Sequence, residues 1–113
     1  MTNLRYSDSA AVDLLAAIKT IWNYFIEKDS PELGDLHIEK FQTELKRKEE
    51  LLRQNPQLFP TRREYSSKYS GRAFRSFTVH WFTVFYTYEE NEGIVFWYIR
   101  SSVSDFSTLI LLS

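Results

Sequence analysis

The chain has 113 residues, a formal net charge of −1, 43% hydrophobic and 17% aromatic residues, and no cysteine. That is one domain's length, residues 1–113, with enough apolar content for one core. The absence of cysteine excludes disulfides and thiolate metal sites and fits a cytoplasmic protein. No signal peptide is visible, and no apolar run approaches the roughly 20 residues of a membrane span.

Residues 2–6 alternate enough for a short first strand, and Ser7, Asp8 and Ser9 offer N-cap oxygens. Val12, Leu15, Ile18, Trp22 and Phe25 recur at three- and four-residue steps, which predicts a helix from residue 9 to 27 that buries that stripe. Ser30 and Pro31 read as a second start, a hydroxyl N-cap followed by proline at the first helical position. The second helix carries Ile38, Phe41, Leu45 and Leu52 on one face, interrupted by Lys48, and a mixed-charge solvated face opposite. Asn55-Pro56 ends it. The connector is short, so the two helices must pack antiparallel.

Residues 56–71 read as loop, with three strands following at 72–79, 81–88 and 94–99. Glu89-Glu90-Asn91-Glu92-Gly93 is a hairpin loop between two aromatic and β-branched runs. Alternation puts Phe82, Val84, Tyr86 and Tyr88 on one sheet face and Trp81, Thr83, Phe85 and Thr87 on the other. Two helices cover one face only, so part of the second face is expected to be covered by a partner. The expected fold is α+β: an N-terminal strand, then an antiparallel helical hairpin packed on a C-terminal antiparallel sheet. Leu15, Ile18, Trp22, Phe41, Leu45, Val84, Tyr86 and Phe96 are expected to bury together.

Charge is unevenly spread: residues 62–75 carry Arg62, Arg63, Lys68, Arg72 and Arg75 against Glu64 alone, a net +4. Such a patch suits an acidic partner surface and is a weak footprint for nucleic acid. His80 has the right pKa class for acid/base work, but at a turn it reads as a solvated bystander. His37, among the surface charges of the second helix, is a weaker candidate still. With the two histidines far apart in the chain and no cysteine, no metal site is expected. Arg75, among apolar neighbours, needs an anion or carbonyl partner, either internally (a carboxylate such as Asp105) or on a ligand. Trp81, Trp97 and Tyr98 read as core and cross-strand packing rather than as stacking platforms.

The element order, Tyr6-Ser7 followed by Ala10-Ala11-Val12-Asp13-Leu14, the segment Leu51-Leu52-Arg53-Gln54-Asn55-Pro56, Arg75 before Phe82-Thr83-Val84-Phe85-Tyr86, the strand Ile94–Ile99, and the segment with Asp105 and Leu109–Leu112 together resemble the RelE/ParE family of bacterial type II toxins. The resemblance implies a plasmid-stabilisation toxin that inhibits growth and is silenced by a cognate antitoxin protein. Its target would be DNA gyrase in the ParE mode, or ribosome-bound mRNA in the RelE mode. Nuclease members place a second arginine where Thr83 stands and an acid/base group where Arg100-Ser101-Ser102 stands. The expectation is therefore a ParE-like, non-catalytic toxin without metal or cofactor. The rivals are a metal-free RelE-like endoribonuclease using Arg75, His80 and Arg100, or a non-toxic relative serving as a binding module. Arg62, Arg63, Arg72 and Arg75 are the expected target- or antitoxin-binding residues.

Overall fold

In a computed structural model, which describes residues 2–61 and 73–102, the elements are β1 (Leu4–Tyr6), α1 (Asp8–Glu27), α2 (Pro31–Gln54), β2 (Arg75–Val79), β3 (Phe82–Glu89) and β4 (Gly93–Ser101). The strands form one sheet in the order β1-β4-β3-β2. The three C-terminal strands pair antiparallel as expected, while β1 joins β4 in parallel. The helical hairpin covers one face. Phe41, Leu45 and Leu52 of α2 and Ala17, Ile21 and Phe25 of α1 bury against Phe77, Val84, Tyr86 and Phe96.

Local chemistry explains the boundaries. Ser7 Oγ accepts from Ala10 N at 3.0 Å, which caps α1, and Asp8 sits favourably in the first turn. At the other end Asp29 N donates to Ile26 O, Ser30 N donates to Phe25 O, and Asp29 adopts φ 55°. This is the Schellman closure with an aspartate where glycine is commoner. Ser30 does not cap α2 with its side chain; its hydroxyl donates to Lys28 O instead. Pro31 does open α2 as expected. Gly34 permits the close helix crossing, since a Cβ there would meet the Trp22 ring at 3.0 Å.

The stripe read from α1 is corrected by about one residue of phase, a rotation of roughly 100°. The buried positions are Ala10, Ala17, Ile21 and Phe25, whereas Val12 and Leu15 are 66% and 70% exposed. Ile18 packs at the margin of the core, and Trp22 is half-buried against Gly34. The inner face is built partly from alanines, which carry little weight in an apolar count but let α1 lie close to the sheet.

β1 is only three residues long, and Ser7, the N-cap of α1, together with the Asp13 side chain continues its work along β4. Ser7 N and Oγ donate to Phe96 O and Trp97 O, and Asp13 Oδ2 accepts from Ile99 N at 2.9 Å. On the opposite edge of β4 the ladder with β3 shifts register between Phe85 and Tyr86. The bulge falls at Trp97, between Phe96 and Tyr98, and both Trp97 and Tyr98 pack with Phe74 and Phe85 on the second sheet face. Phe74 and Phe85 are only 1% and 3% exposed. That face therefore offers a partner less apolar surface than the sequence suggests. In the 89–93 hairpin, Glu92 N donates to Glu89 O and Gly93 takes φ 80°, the three-residue loop with glycine in the left-handed position.

The phase of α1 gives a paired test. Leu45 is 4% exposed, so Leu45→Ala should cost about 2–5 kcal/mol on urea titration. Leu15→Ala should stay within about 0.5 kcal/mol, as exposed substitutions do. Equal losses would return the original stripe to the core.

Candidate functional site

The turn between β2 and β3 consists of His80 and Trp81, and His80 adopts φ 52°. Left-handed backbone costs a non-glycine residue about 1–2 kcal/mol and persists only where neighbours hold it. Three neighbours do so here. Glu44 Oε2 accepts from His80 N at 3.2 Å. The His80 ring stacks on Trp81 at 5.1 Å and 14°. His80 Nε2 lies 2.9 Å from His37 Nδ1.

The two histidines, distant in sequence, are thus hydrogen-bonded partners, and His80 is no solvated bystander. His37 reaches the turn because it lies four residues before Phe41 and eight before Leu45, on the margin of α2's buried stripe. That spacing was the available signal for it; the charged neighbours concealed it. Phe25 stacks on His37 at 4.6 Å and on Trp81 at 5.7 Å, and Tyr24 meets Trp81 edge-on. The end of the helical hairpin and the β2–β3 turn therefore share one aromatic cluster.

Electrostatics at this cluster favour a neutral His80. Burial lowers its pKa first, the His37 ring lowers it further, Glu44 raises it, and Lys40 lowers it. A neutral pair satisfies the contact with one ring donating and the other accepting, whereas two imidazolium rings would set donor against donor. Two imidazoles are also fewer ligands than a zinc site takes, and no group of three or more His, Asp or Glu residues that could hold a metal occurs among the described residues.

The remaining catalytic candidates lie elsewhere. Arg75 shares the inner face with Phe77 and Val79, and its Nη1 donates to Phe59 O at 2.6 Å and, more weakly, to Gln57 O at 3.5 Å. The partner it needs is thus a carbonyl; Asp105 lies outside the described residues, as do Arg62, Arg63, Lys68 and Arg72. Beside Arg75, burial pushes the Tyr86 hydroxyl up to about 12, partly offset by the guanidinium. Arg100 sits with Nε 3.7 Å from Asp13 Oδ2 and its guanidinium over the Tyr98 ring. Its Nε is buried with no hydrogen-bond partner among the described residues, since Asp13 Oδ2 lies at ion-pair rather than hydrogen-bond distance and accepts from Ile99 N. Thr83 Oγ1 is bonded to Ser102 Oγ at 2.7 Å. Asp13, quoted above only as part of a pattern, thus joins α1 to the end of β4.

An open groove of about 500 Å³ runs beside the histidine pair, lined among others by Leu36, Lys40, Glu44, Arg47 and His80. Its charges are mixed, so it has no strong preference for an anion.

The fold and this geometry can be set beside known families. The family model described as the ParE toxin of the type II toxin–antitoxin system, parDE, matches residues 4–106. The chain belongs to the ParE toxin family. No curated protein sequence matches it. Family membership implies an antitoxin partner. Among the described residues no helix is long and apolar enough to cross a membrane.

The histidine pair makes stability depend on pH with a definite sign. Because the folded-state pKa of His80 lies below 6.5, the unfolded chain binds the proton more readily. The contribution is complete above 6.5 and is lost as pH falls through the lower folded value. His80→Asn keeps a residue that tolerates the left-handed backbone and removes the titration. Thermal melts from pH 8 to pH 5 should show a smaller loss of Tm on acidification in the variant than in the parent chain. Parallel Tm curves would show that His80 does not titrate differently on folding.

Proposed function

We propose that this ParE-family chain is a toxin that acts in the cytoplasm by binding a macromolecular target, DNA gyrase, and is neutralised by a cognate antitoxin. The observation that carries this reading is the dispersal of the candidate catalytic groups. Arg75 is held by the carbonyls of Phe59 and Gln57, Arg100 lies against Asp13 and Tyr98, and His80 is bonded to His37. Metal-free RNA cleavage needs an acid, a base and a phosphate-binding cation converging on one substrate position. These three residues are engaged by three different parts of the fold.

The antitoxin segment in this reading is acidic with apolar anchors. Arg62, Arg63, Arg72 and Arg75 meet its carboxylates; Arg75 is half-exposed and keeps donors beyond those given to the carbonyls. Apolar burial supplies most of the affinity, and the charges supply rate and register.

The RelE-like reading, a ribosome-dependent mRNA endonuclease, draws on one observation, the His37–His80 contact. Induction in a bacterial host separates the two. Gyrase binding should give DNA damage and filamentous cells with intact mRNA, and His80→Asn should arrest growth as the parent chain does at matched protein level. Cut mRNA with translation arrest, abolished by His80→Asn in a folded protein, would establish the nuclease instead. Co-expression of the antitoxin should restore growth.

A further inference from the structure

The outer face of α1 carries a pattern that neither the core nor the toxin reading uses. Val12 and Leu15 are the most exposed large hydrophobic residues among those described. They stand between Asp8 and Lys19 at steps of four, three and four, so all four side chains lie along one line of the helix. That spacing is the alternating a and d positions of a heptad. Ala11 and Ala16, also exposed, flank the line with minimal bulk. Lys19 is the only charged residue at a fully exposed position between Asp8 and Glu27. The outer face of α2, by contrast, is crowded with both signs of charge, Glu39, Lys40, Lys46, Arg47 and Glu50 among them. A solvated helix face is charged in the manner of α2; that of α1 is built for contact.

We propose that the chain forms a two-fold homodimer in which the outer faces of two α1 helices pack antiparallel. The sequence of the face specifies the second copy as its occupant. In the antiparallel register centred between residues 13 and 14, Val12 of each copy stands opposite Leu15 of the second copy. The same operation sets Asp8 opposite Lys19 of the second copy, twice over. Apolar residues therefore meet at the axis, and each charge on the line meets its opposite at the rim. The contact is isologous, as a two-fold interface requires. A parallel pair would instead set Lys19 against Lys19. The small flanking alanines allow the helix axes to approach to about 8–10 Å. One helix pair is smaller than the standard interface of about 1,600 Å², so the dimer is reversible. It does not depend on the toxin reading, since it uses none of the residues assigned to target, antitoxin or chemistry apart from belonging to the same chain.

Sedimentation equilibrium of the purified full chain tests it, from roughly 5 to 500 µM, the span around the affinities of small interfaces. The average mass should rise with concentration from 13.5 kDa toward twice that value and stop there. Leu15→Glu and Lys19→Glu should each weaken the association at least tenfold, and Asp8→Lys combined with Lys19→Glu should restore it. Leu51→Glu, an exposed apolar position on α2, should leave it unchanged. A second measurement needs no variant. A zero-length carboxylate–amine cross-linker should join Asp8 to Lys19, which lie about 16 Å apart within one helix and can be bridged only between copies. A constant monomer mass, growth beyond the dimer, no recovery on charge exchange, or no Asp8–Lys19 cross-link would each overturn the proposal.

Discussion

Strand β4 has two edges to satisfy and only one full-length neighbour. β3 supplies a ladder along one side. Along the other, β1 covers Ile94 to Phe96 and then ends. An unpaired edge leaves donors and acceptors without partners, which is costly in a buried setting and sticky in an exposed one. Here the chain turns into α1 at that point, and Ser7 and Asp13 complete the edge from the helix. Ser7 serves two purposes, since its hydroxyl also caps α1. The angle at which α1 leaves the sheet is thereby fixed. So is the position of the helical hairpin, and with it the reach of α2 toward the β2–β3 turn.

That reach accounts for the cluster at the far end. His37 and Glu44 hold the turn from α2, and Phe25 and Tyr24 hold it from α1. The strained backbone at His80 is over-determined by these contacts, a condition under which an unfavourable φ survives. The hydrogen bond to the Glu44 carboxylate, at 3.2 Å, is one of several contacts that together hold the strained backbone. The cluster thus joins three parts of the fold without drawing Arg75 or Arg100 into it.

Much of this architecture was legible from residues alone. The Ser7 cap, Pro31 at the start of α2, the break at Asn55-Pro56 and the Gly93 hairpin each rest on local chemistry that the sequence states directly. The alternation of Phe82, Val84 and Tyr86 correctly identified the face beneath the helices. The less legible parts depend on distance in the chain or on small residues. Parallel pairing of Leu4–Tyr6 with Ile94–Phe96 has no local signal. The phase of α1 was misread because the helix is apolar on two sides, and the larger residues, Val12 and Leu15, lie on the outer one. Among the site residues, Arg75 was expected to need an anion or a carbonyl, and Phe59 and Gln57 supply the carbonyl. The spacing within α2 places His37 at the margin of the buried stripe, but its meeting with His80 also depends on where the Schellman turn at Asp29 sends α2.

The placement of β4 also sets an order of events during synthesis. Arg5 and Glu92, joined across β1 and the start of β4, are 87 residues apart in the chain. Translation at about 5–20 residues per second leaves β1 waiting on the order of ten seconds for its neighbour. Contacts of such long range also tend to slow folding itself. The nascent chain can build its helical hairpin early, but the sheet stays incomplete until β4, one of its two inner strands and the last of those described, has been made. Any partner that recognises the finished sheet meets it only after β4 has been made, whereas one that recognises the hairpin can engage before then.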